Sequence, residues 1–218
     1  MQAAGREVLE YHRLLDKTDD NIVGELLRGQ GTFYQWNHYP EGDAFDAETH
    51  SQYYYHAHRG DREEHGHFHT FLRPQGMPAG IRPAPLSDLA LPEGENAALS
   101  HLVAIAMDDY GYPISLFTTN RWVTGEVWYA AKDVCRMVKV FKMDQARPSL
   151  PVNRWITAML RFFEMEIFDL VARRDVSVRA WQEKYPDRNV YEDRALEITS
   201  EMPISVEDRL RQIEEMLR

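Results

Sequence analysis

The chain has a single cysteine, Cys135, in 218 residues, which excludes an internal disulfide and leads to the expectation of a reducing cytoplasm. No apolar run approaches the ~20 residues that cross a bilayer, so a membrane is not expected as a partner. The opening Met1-Gln-Ala-Ala-Gly-Arg-Glu-Val lacks the basic-then-apolar order of a secretion signal. Basic residues are also short: 25 Lys and Arg against 35 Asp and Glu give a net charge of −10. That balance argues against a nucleic-acid backbone as the main partner, and the acid excess is spread along the chain as ordinary solubility. Missing too are GxSxG, a phosphate-binding glycine loop, GxGxxG, CxxC and HExxH. Their absence argues against hydrolase, nucleotide, dinucleotide and thiol-redox chemistry of the standard kinds.

Histidine is what the chain does have, and it is concentrated. Six of nine histidines fall between His50 and His69. Side chains at i and i+2 of a strand share a face, so His56 and His58 form one row, and His65, His67 and His69 another. The charged stretch Arg59 to Glu64, with Gly60, reads as a turn between them. A turn centred between Asp61 and Arg62 sets His58 opposite His65, His56 opposite His67 and Tyr54 opposite His69. Opposed Cβ atoms are then only ~5 Å apart.

Neutral imidazole is the commonest protein ligand for zinc, iron, copper and nickel. Facing rows on a ladder hold several ring nitrogens on one centre, whereas packed imidazoles without an ion gain nothing and repel when protonated. The bland alternative is a solvated histidine-rich hairpin. A register shift of one residue would turn one strand's histidines to the other face. The candidate ligands are His56, His58, His65, His67 and His69, with Glu63 as the carboxylate that alternates onto their face. Glu64 falls on the opposite face of a regular strand and needs a bulge to join them.

Tyr54 lies on the histidine face and is a candidate proton donor, hydrogen-bond partner to a ligand, or cavity wall. Arg121, after a strand near the hairpin, is a candidate for holding a substrate carboxylate through two hydrogen bonds, with a surface ion pair as the plainer reading. Cys135, among Val134, Met137 and Val138, reads as an inert buried thiol. His12 and His38 lie outside both rows.

Elsewhere the order is α, then β, then α. Two short helices occupy residues 4–29. Strands are expected at 33–39, 52–59, 64–72, 101–108 and 114–122 in one antiparallel sheet, with Val127 and Trp128 as a possible extension. A proline- and glycine-rich connection follows Leu72. From Ala130 the pattern is helical throughout, with candidates at 130–143, 152–173, 177–185, 191–198 and 206–217. The fold class is therefore α+β, with helices on one face of an antiparallel sheet. The organisation read is one domain, 1–218, made of a helical segment 1–31, a sheet 32–128 and a helical segment 129–218.

His56-x-His58 followed by four residues and then Glu63 resembles the first metal motif of cupins, without its flanking glycines. HxH on one strand plus a histidine from the next is similar to the carbonic anhydrase arrangement. The more extensive resemblance rests on Tyr55-His-Ala-His-Arg59, Glu64-His-Gly-His-Phe-His-Thr-Phe71 and Leu116-Phe-Thr-Thr-Asn-Arg-Trp122. These runs resemble an uncharacterised bacterial domain family spanning most of the chain, which implies no activity.

The function expected is a metal-dependent enzyme with one histidine-ligated ion, iron(II) first, zinc or copper next, acting on a small molecule. A non-haem iron oxidoreductase leads; a zinc lyase or hydrolase and a metal store or sensor are the alternatives. Association of copies of the chain stays open.

Overall fold

The computed structural model describes residues 1–58, 64–86 and 91–217. Its frame is a six-stranded antiparallel sheet in sequence order, flanked by helices. The strands are β1 (Tyr39–Phe45), β2 (Ser51–His56), β3 (Gly66–Leu72), β4 (Ser100–Met107), β5 (Pro113–Thr119) and β6 (Ile198–Pro203). Before them come helices α1 (Gln2–Asp16) and α2 (Ile22–Leu27). After β5 come α3 (Arg121–Thr124), α4 (Ala131–Val138), α5 (Leu150–Phe162) and α6 (Glu164–Lys184), and α7 (Val206–Met216) follows β6. No helix among the described residues is long and apolar enough to cross a membrane. The chain is an α+β fold.

The period of two along β2 and β3 sorts the sheet's faces. Tyr53, Tyr55, Phe68, Val103, Ile105 and Leu116 face the helices, in one apolar cluster with Val8, Ile22, Val134, Trp155, Ile167 and Leu210. On α5, Trp155, Ile156, Met159 and Phe162 are all buried. Its start is capped by Ser149, whose side chain accepts from the Val152 amide. The Tyr53 hydroxyl reaches Asn153 at 2.7 Å and ties the sheet to this helix. The other face carries Gln52, Tyr54, His56, His67, His69 and a small patch of Ala104, Ala106 and Phe117. β4 is buried along its whole length, which explains its lack of alternation.

Four element expectations need correction. The helices expected at 152–173 and 177–185 divide elsewhere: the break falls at Phe163, between α5 and α6, and α6 runs unbroken from Glu164 to Lys184. The first strand is 39–45, not 33–39. The aromatic run before it is broken by a turn at Trp36, whose φ of 72° lies in the left-handed region, away from extended backbone. Pro40 is tolerated in β1 because the strand is an edge, where a missing amide breaks no inner ladder. The segment 191–198, expected as a helix, contains only a 3-10 turn at Val190–Glu192, and the chain then adds β6 to the far edge. Val127 and Trp128 form no strand, although the Val127 amide bonds the Leu99 carbonyl at 2.9 Å.

Candidate metal centre

The β2–β3 ladder sets Tyr54 against His69 and His56 against His67, the register expected from the turn. His56 and His67 meet Nε2 to Nε2 at 2.8 Å. One ring nitrogen from each of His56, His67 and His69 lies within 4.8 Å of the others, and all three side chains are buried. Ala104, Ala106 and Phe117 back them with a small, apolar surface. The Phe117 ring lies 5.2 Å from that of His67.

The ring nitrogens away from the centre are held. His67 Nδ1 is 3.0 Å from Glu64, whose side chain is itself almost fully buried. With Nδ1–H donated to that carboxylate, Nε2 keeps its lone pair for the centre. His69 Nδ1 is 2.9 Å from His101 Nε2 on β4. His69 Nε2 has no hydrogen-bond partner among the described residues although it is fully buried.

Burial, and then the neighbouring imidazoles, lower the pKa of His56 to about 2 and that of His69 well below its ordinary value. His101 is lowered to about 3, mainly by burial and then by Arg174. His56, His69 and His101 are therefore neutral at physiological pH, the form that binds metal. Behind it, buried Glu126 accepts from the His101 amide at 2.7 Å, and burial pushes its carboxyl up to about 8 against the pull of Arg174.

His58 lies beyond the end of β2, with its ring 4.6 Å from His56 and 5.1 Å from His67. His65 departs from its row. Its Nδ1 meets the Tyr55 hydroxyl at 2.6 Å, and Tyr55 belongs to the helix-facing side. At the next residue, Gly66, the chain presses close: a Cβ there would lie 2.6 Å from the His56 carbonyl oxygen. β3 begins only at Gly66, and the alternation does not extend back to His65 or Glu64. This is also why Glu64 reaches His67, against the expectation that it points away. Glu63 lies outside the described residues.

A cleft of about 670 Å³ opens over His56 and His58, walled by Trp36, His38, Tyr54 and Trp122 among others. His38, placed outside the site by its sequence position, stacks on Tyr54 at 3.6 Å with the rings nearly parallel. Arg121 is not part of this cleft. The strand ends at Thr119, Asn120 caps α3, and the first turn of that helix carries Arg121 to an ion pair with Glu192. His101 was legible only as the first residue of the strand expected beside the hairpin.

Over residues 2–204 the chain matches the model of a family described as a domain of unknown function (DUF6969). The chain belongs to this family. No curated protein and no solved structure matches it. The family description assigns no activity, so the chemistry rests on the histidines and the cleft.

Proposed function

We propose that the chain is a metal-dependent enzyme in which His56, His67 and His69 hold one transition-metal ion, iron(II) in first place, for oxidoreductase chemistry on a small molecule. The observation that carries this reading is the buried Nε2 of His69. It has no hydrogen-bond partner among the described residues and belongs to a group of ring nitrogens close enough to share one ion. An unsatisfied buried nitrogen costs about 1–3 kcal/mol, and a metal bond removes that cost. In the ion's absence the 2.8 Å contact satisfies His56 and His67 by donating one Nε2–H, but it does nothing for His69.

An all-imidazole donor set with no thiolate suits iron or copper, which is the ground for placing iron first. Iron(II) held by His56, His67 and His69 would supply one-electron chemistry there. The protein's part is to fix the rings through Glu64 and His101 and to leave access from the cleft. Tyr54, its pKa raised by burial, retains its phenol proton at neutral pH and lines the cleft beside His56.

Zinc lyase or hydrolase chemistry is the second reading. The Glu64–His67 pair favours it, because a carboxylate behind a ligand imidazole is a common support for zinc. A zinc-bound water with a pKa near ~7 would then be the nucleophile. Loading the protein with iron(II) under anaerobic conditions and adding nitric oxide or azide tests whether the centre is open. A changed optical or paramagnetic spectrum, with oxygen consumption in air, supports the oxidoreductase. A spectrum indifferent to both ligands points to a closed storage or sensing site.

A further inference from the structure

The charges in the cleft do not follow those of the chain. Acids outnumber bases by 35 to 25, yet two arginines, Arg73 and Arg194, line the cleft without a carboxylate partner among the described residues. Eleven other arginines have an acid within reach, while Arg82, Arg147, Arg161 and Arg179 also pair with no carboxylate among the described residues. Arg73 is oriented by neutral groups, donating to the Gln52 side chain at 2.7 Å and to the Asn96 carbonyl at 3.0 Å. Arg194 lies over the Trp122 ring at 4.8 Å, which holds the guanidinium without neutralising it.

Of the two acids lining the cleft, Asp43 is committed to His38 at 3.1 Å and to Gln52 at 2.6 Å. Glu197, on the rim, is the one carboxylate there with no hydrogen bond or ion pair among the described residues. The walls between these charges are flat rings: the stacked pair of Tyr54 and His38, and Trp36 on the stacked ring of His58.

We infer that the cleft takes a small planar organic anion, a carboxylate on an aromatic or similarly flat body. Its charge meets Arg194 and Arg73, and its body lies among the rings beside the histidines. This assignment rests on the proposed function for its meaning as a substrate site, but the arginines that carry it are not metal ligands. A guanidinium recognises a carboxylate through paired, charge-assisted hydrogen bonds, and flat rings select flat partners.

The test uses benzoate, benzamide and benzylamine, which share a ring and differ in charge. Binding is followed by calorimetry on the full chain, as purified and after chelator treatment, with the metal content of each sample measured. Benzoate should bind at least about tenfold more tightly than the other two in both samples. Arg194→Met, which keeps the stem and removes the charge, should weaken benzoate by about tenfold and leave benzamide unchanged. Equal or tighter binding of benzamide or benzylamine overturns the inference, as does failure of all three to bind or an unaltered benzoate affinity in Arg194→Met. A benzoate preference that disappears with the chelator overturns it too, because the ion would then be recognising the carboxylate. A preference that persists in protein that never holds metal supports the anion site and removes the metal enzyme.

Discussion

His69 and His65 are two residues of one expected row with opposite fates. His69→Ala removes a ligand nitrogen and should leave the protein without its ion. His65→Ala should keep the ion and cost about 1 kcal/mol, since the bond to the Tyr55 hydroxyl and the ring contact with Phe33 are lost. Arg121→Ala should change neither metal content nor ligand binding, and stability by less than about 1 kcal/mol, because it breaks an exposed ion pair. Metal analysis and urea titration of the three variants check these outcomes. An ion lost with His65 or retained without His69 would contradict the geometry.

His12 supplies a pH dependence remote from the centre. Its Nε2 accepts from the Trp155 indole at 3.1 Å, its ring stacks on Tyr112, and burial lowers its pKa against Glu207, Asp16 and Asp108. The folded state therefore resists the proton that the unfolded chain takes up at about pH 6.5. This contribution to stability is complete above that value and is lost as pH falls towards the depressed folded value. In chelator, to exclude any metal effect, His12→Gln should lose less stability than wild type between about pH 7.5 and about pH 5.5. Equal losses would contradict it.

At the scale of elements, the site depends on how closely β2 and β3 approach at Gly66. Gly66→Ala would set a methyl 2.6 Å from both the His56 carbonyl oxygen and the Tyr55 hydroxyl. We expect a loss of about 1–3 kcal/mol and a weaker metal site, read by thermal melts and competition with a chelator. Unchanged values would mean that the strand ends are not held together there. The hairpin was legible because two histidine rows of period two and one charged turn admit few registers. Tyr54 against His69 and His56 against His67 follow from that alone.

Legibility ended where the ladder ended, since His58, Glu64 and His65 lie beyond regular pairing and no periodicity governs them. The two edge strands were hard to read for a related reason. β1 contains Pro40, Gly42 and Asp43, and β6 is the short, polar Ile198-Thr-Ser-Glu-Met-Pro203. An edge strand needs neither a continuous apolar run nor every amide, so local preference says little about it. Arg73 and Arg194, far apart in sequence, meet at the cleft only through the fold.

For the whole molecule, the bound ion would cross-link two neighbouring strands within the six-stranded sheet, so folding and metal binding are coupled. With free metal at about a hundred times its dissociation constant, the ion adds roughly 2.7 kcal/mol to stability. A chelator at neutral pH should therefore lower the melting temperature of wild type and leave that of His69→Ala unmoved. The central claim is that three buried imidazoles on β2 and β3 hold an ion, and its most direct test is elemental analysis of protein made without an affinity tag. Wild type should carry about one transition-metal ion per chain, iron when expressed with adequate iron, and His69→Ala essentially none. Wild type that is metal-free and takes up neither iron nor zinc on reconstitution would contradict the account, as would a His69→Ala variant that retains its full complement.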